Sequence, residues 1–94
     1  MWEDCTSYGR YTKNRKQTCY DIKGSVLRIA ITCAHINAPG KWVMHCDPWF
    51  NTYPLNIDDI NDVDGAKMEA LKLVKDKLKS AINDIESFEK ITGE

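Results

Sequence analysis

Between Leu27 and His35 the chain reads LRIAITCAH, with its larger hydrophobic groups on every second residue. Leu27, Ile29, Ile31, Cys33 and His35 alternate with Arg28, Ala30, Thr32 and Ala34, a period of two that predicts a strand with its odd positions inward. A second alternation follows in KWVMHC, where Trp42, Met44 and Cys46 share one face and Lys41, Val43 and His45 the other. Between them lies Asn37-Ala38-Pro39-Gly40, whose Pro-Gly pair suits a type II turn with glycine supplying the positive φ. A central hairpin over residues 25–46 is expected.

Upstream, SYGRYT and QTCYDI flank TKNRK, so residues 1–24 are read as a basic N-terminal hairpin or arm with its tip at Lys13, Arg15 and Lys16. Downstream, residues 47–61 hold two prolines among Trp49, Phe50, Tyr53 and Leu55, the composition of a packed aromatic connection. The period then changes. Leu71, Val74, Leu78, Ala81, Ile82, Ile85 and Phe88, placed at 100° per residue, fall within a sector of roughly 120°, which predicts an amphipathic helix over 62–91 packed by one face onto a sheet. Asp59, Asp62 and Asp64 stand where carboxylates cap free amides and meet the positive end of the helix dipole. A helix near 25 residues would span about 38 Å, more than a small sheet can cover, so its last turns are expected to project or to find a partner. The expected fold is a single α+β domain, an antiparallel sheet of three or four strands backed by one long C-terminal helix.

Two cysteines and two histidines between Cys33 and Cys46 raise the question of a metal site. Adjacent strand positions point to opposite faces, so with Cys33, His35 and Cys46 inward, His45 points outward and the four side chains diverge. No CxxC pair or zinc-type histidine spacing occurs, and no metal or cofactor is expected. DDINDVDG fails as a calcium loop, because an EF-hand counted back from Gly65 would begin at Ile60 and end at Leu71, neither of which can coordinate. For a disulfide, the hairpin register matters: a two-residue Pro-Gly turn sets Cys33 opposite Cys46, whereas a four-residue loop over 37–40 sets it opposite Met44. Two-residue hairpins favour type I′ and II′ turns, which Pro-Gly does not supply, so the longer loop and unbonded thiols are expected.

Charge alters this picture only locally. The 94-residue chain has a formal net charge of −1, yet residues 1–50 carry seven Lys/Arg against four Asp/Glu and residues 51–94 carry six against ten. An electrostatic partner would therefore meet one face, not the whole molecule. Arg10, Lys13, Arg15 and Lys16, interleaved with Tyr8, Tyr11 and Tyr20, could hold phosphates while the rings stack on bases. No apolar run reaches membrane-spanning length and MWEDC lacks an export-signal core, so a cytoplasmic protein with reduced cysteines is expected. There is no nucleophile elbow, glycine-rich phosphate loop or HExxH, and the chain is read as non-enzymatic.

GAKMEALKLVKDKL resembles the last helix of double-stranded RNA-binding domains, but Asp62 and Asp64 stand where those domains place phosphate-holding lysines. Taken from Lys23 to Glu89, a small sheet followed by a long amphipathic helix resembles small bacteriophage accessory proteins, including anti-CRISPR and other anti-defence inhibitors. That resemblance implies a stoichiometric binder that blocks a host protein in the host cytoplasm. The candidate contacts are Trp49, Phe50 and Tyr53 together with Arg10, Lys13, Arg15 and Lys16. A nucleic-acid-binding accessory protein using the basic arm is the alternative, a small-molecule sponge is a third reading, and a homodimer is compatible with each.

Overall fold

In a computed structural model that describes residues 1–6 and 17–93, an antiparallel sheet is covered on one face by a long helix. The order along the chain is β1 (Glu3–Asp4), β2 (Cys19–Lys23), β3 (Arg28–His35), β4 (Ala38–Cys46), β5 (Phe50–Pro54) and α1 (Val63–Gly93). The strands form a meander in sequence order. The α+β class is as expected, with five strands among the described residues in place of three or four. The proposed basic tip, with Arg10, Lys13, Arg15 and Lys16, lies outside the described residues.

Alternation places the core as the sequence indicates. Ile29, Ile31 and Cys33 of β3 and Trp42, Met44 and Cys46 of β4 are buried together beneath α1, joined by Phe50, Leu55, Ala66, Ala70 and Val74. The hairpin that brings them together differs from expectation in where it turns. His35 pairs with Ala38, so the loop is the two residues Ile36 and Asn37, and Pro39-Gly40 lies inside β4. Thr32 pairs with Val43 and Ala34 with Pro39, which leaves Gly40, Lys41 and Trp42 opposite Cys33 alone. The Pro-Gly pair therefore builds a β-bulge, with Gly40 at φ 77°. The resulting register sets Met44 opposite Ile31, and neither expected partner of Cys33 faces it.

Residues 47–61 do more than connect. Phe50–Pro54 adds β5 to the sheet edge, entered through a cis Asp47–Pro48 bond and bulged at Thr52, where φ is 50°. Asp62 then caps α1: its Oδ1 accepts from Gly65 N at 2.9 Å while its carbonyl accepts from Ala66 N at 3.1 Å. Just before the helix, Asp59 Oδ1 accepts from Asn61 N at 2.9 Å.

The helix runs from the Trp42 end of β4 toward the Cys46 end. At its entry the Trp42 indole donates to the Ile60 carbonyl at 2.8 Å; further on, Leu73 and Lys77 lie beside Phe50 and Tyr53. Ala66, Ala70 and Val74 form the face buried on β3 and β4, the two alanines allowing close approach to the sheet. Of the seven residues expected to pack there, Val74 is buried and Leu78 and Ala81 are half-buried. Leu71, Ile82, Ile85 and Phe88 are exposed, a correction with two causes: Leu71 stands level with the sheet but about 100° round the helix from Ala70, on the side turned away, and the other three lie beyond the sheet. A 31-residue helix is about 46 Å long, and its last turns extend past the end of the sheet that carries the 47–49 turn.

Candidate interaction surfaces

The four groups that suggested a metal site separate by face. Cys33 and Cys46 are buried beneath α1. Burial pushes the Cys46 thiol above its ordinary value, and the neighbouring Asp47 carboxylate adds to the shift. A sealed thiol held protonated is a poor nucleophile. The two imidazoles lie on the other face, their ring centroids 5.5 Å apart. His35 was expected inward; the bulge twists the hairpin tip and turns the ring toward His45 instead. Both Nδ1 atoms accept backbone N–H groups, His35 from Asn37 at 3.1 Å and His45 from Thr52 at 3.1 Å. One ring thus braces the β3–β4 turn and the other the β5 bulge. Among the described residues no three His, Cys, Asp or Glu side chains gather as a ligand set.

That far face of the sheet holds a concavity of 480 Å³ with Thr32, His35, His45 and Arg28 along it. At its rim Cys5 and Cys19 form a disulfide, which corrects the expectation of reduced thiols throughout. The pairings Glu3 with Asp21 and Asp4 with Tyr20 carry the register on to Cys5 opposite Cys19, and Cys5 N donates to Cys19 O at 3.0 Å. Thr6 closes the corner, its Oγ1 accepting from Thr18 N and Cys19 N. Nearby, buried Asp21 accepts from Arg28 Nε at 2.9 Å, and the same guanidinium's second contact is also 2.9 Å, so the carboxylate is matched by a cation that stays in solvent.

The three aromatic candidates also part company. Phe50 is 6 % exposed and belongs to the core, so it is removed from the set of contact residues. Tyr53 packs edge-on against Phe50, centroids 5.1 Å apart, and remains 44 % exposed; Trp49, in the turn before β5, is 37 % exposed. Both rings are presented at the β5 side of the sheet, Trp49 from a turn in which its N–H donates to the Cys46 carbonyl at 3.0 Å and Tyr53 from β5 itself. On the opposite flank Lys67 Nζ lies 4.7 Å from the Tyr20 ring centroid and 5.7 Å from that of Trp2, fixing the first turns of α1.

Beyond the sheet, Ile82, Ile85, Phe88 and Ile91 are each more than half exposed. At 100° per residue, Ala81, Ile85 and Phe88 continue the same side of the helix that Ala66, Ala70 and Val74 bury upstream. Sequence reasoning found this stripe but missed the two alanines, which carry little weight in a hydrophobic pattern although both are fully buried. No helix among the described residues is long and apolar enough to cross a membrane. No family model, curated protein or solved structure matches the chain.

Proposed function

We propose that the protein is a non-enzymatic interaction protein that occupies the surface of a larger host protein, in the manner of small phage inhibitors. The observation that carries this reading is the placement of Trp49 and Tyr53: two large rings held on hydrogen-bonded backbone, one braced by the buried Phe50, and both left partly in solvent. Rigid, partly exposed aromatic groups are the side chains that anchor interfaces. The chemistry agrees, since Cys33 and Cys46 are sealed in the core and both imidazole Nδ1 atoms are engaged in backbone bonds.

The test uses the full chain. Incubated with host lysate, it is expected to retain one protein in a fixed ratio, and the purified pair should reassemble and lose the host protein's activity. Trp49→Ala combined with Tyr53→Ala should weaken the complex at least ~10-fold. Unchanged affinity in that variant would overturn the assignment. Tight oligonucleotide binding that falls steeply with salt would replace it with the nucleic-acid reading.

A further inference from the structure

We propose that the projecting part of α1 is the surface through which two copies of this chain pair, with their helices antiparallel and the twofold axis near residue 83. This inference goes beyond the function proposed above and uses a different surface from Trp49 and Tyr53.

The stripe itself asks for a cover. Leu78, Ala81, Ile85 and Phe88 repeat at the alternating spacing of three and four that forms a helix-pairing seam, with Ile82 at its edge. Upstream the same side of α1 is filled by the sheet; downstream Ile82, Ile85 and Phe88 are 56 %, 56 % and 57 % exposed. Whatever covers them must lie level with the sheet and beyond its end.

The position of the sheet then selects the direction of a partner helix. Along Ala66, Ala70 and Val74 the sheet occupies the side on which a second helix would have to lie. A parallel pair brings two sheets into that one space. An antiparallel pair puts the sheets at opposite ends of the pair. With the axis near residue 83, Ala81 meets the partner's Ile85, and Phe88 meets the partner's Leu78 at the edge of the sheet, where that side chain is half-buried against its own core, so each small or medium group faces a larger one.

Charge selects the same direction independently. Residues 72–79 hold Lys72, Lys75, Lys77 and Lys79 with Asp76 the one acid, whereas residues 84–90 hold Asp84, Glu86 and Glu89 with Lys90 the one base. Antiparallel pairing lays the basic half against the acidic half; parallel pairing stacks like on like. At the rim, Lys75 comes beside the partner's Glu89 twice per dimer. On the other rim Asp84 approaches the partner's Asp84 across the axis, the unfavourable contact in this arrangement.

Sedimentation of the full chain at rising concentration, with circular dichroism as the check on folding, tests the proposal. The mass is expected to climb from 10.8 kDa toward twice that value across the micromolar range, because a two-helix contact is at the small end of stable interfaces. Ile85→Asp should keep its helical signal and weaken pairing at least ~10-fold. Glu89→Lys should weaken it roughly 2- to 5-fold per contact at low salt, and adding Lys75→Glu in the same chain should restore it. Direction is read by cross-linking: Ile82→Cys should join to its own copy, while Phe88→Cys, about 15 Å from its mate in an antiparallel pair, should not. A mass that stays at one chain, an assembly larger than two, or self-linking at Phe88→Cys without linking at Ile82→Cys would each overturn the proposal. None of these variants alters Trp49 or Tyr53, so loss of pairing with host binding intact separates this proposal from the function above.

Discussion

Four cysteines have two fates, set by strand neighbours and not by spacing in the chain. Cys5 and Cys19 are bonded because β1 and β2 align them across the sheet. That alignment depends on a two-residue strand too short to show any alternation, which is why the pair was not legible in the sequence. Cys33 and Cys46 were legible as core because each sits on the inward phase of a long alternation. The Cys46 thiol is raised from 9.0, chiefly by burial and secondly by Asp47; the Tyr20 hydroxyl is raised from 10.0 by burial, then by Asp4 and Cys33. A group whose pKa is raised on folding binds its proton more tightly in the native state. Its contribution is full below the unfolded value and is lost as pH rises toward the folded value. The melting temperature is therefore expected to hold level from pH 7 to about 8.5, then fall above about 9 as the unfolded thiol ionises, with Tyr20 adding to the fall above about 10. Thermal melts across that range check it, and a level profile to pH 11 would contradict the burial of both groups.

At the scale of elements, periodicity reported which way side chains point but not where strands pair. The faces of β3 and β4 follow from a period of two whatever the register, so Ile29, Ile31, Trp42 and Met44 could be assigned inward from the residues alone. The register depends on a bulge, and Pro39-Gly40 suits a bulge as well as a turn, since both require a positive φ that glycine supplies. β5 stayed hidden for a related reason: its bulge at Thr52 puts Phe50 and Tyr53, three residues apart, in ring contact and breaks the alternation. The start of α1 was readable because its capping chemistry is local. Asp62→Ala should cost about 1 kcal/mol in chemical denaturation. Gly65 gives a sharper check. Alanine in a helix is ordinarily better than glycine by about 1 kcal/mol, but a Cβ at Gly65 would run into the Asp62 carboxylate that caps it. Gly65→Ala is therefore expected to gain nothing with Asp62 present and about 1 kcal/mol once Asp62→Ala has removed the cap, a coupling that a double-mutant cycle measures.

The whole molecule is more extended than its length requires. Its Cα radius of gyration is 16.5 Å, against roughly 12 Å for a compact domain of this size, and its long dimension is 64 Å against 27 and 23 Å across. The excess is the overhanging end of α1. Helical stability comes mainly from packing an apolar face, and short helices standing alone in water are marginal. The first half of α1 is held by Ala66, Ala70 and Val74 on the sheet and by Lys67 against Tyr20, whereas residues 82–93 are exposed and none of them packs against the core formed by the described residues. Their backbone amides should then exchange with solvent readily when the protein is dilute and slowly when two overhangs cover each other. Hydrogen exchange followed by mass spectrometry at low and high concentration is expected to show protection over 82–93 rising at least ~10-fold with concentration, while peptides from β3 and β4 stay unchanged. Ile85→Asp should hold the dilute pattern at every concentration. Protection over 82–93 that is already full in the dilute wild-type chain would mean that the overhang is stable without a cover, and the case for pairing through it would fail.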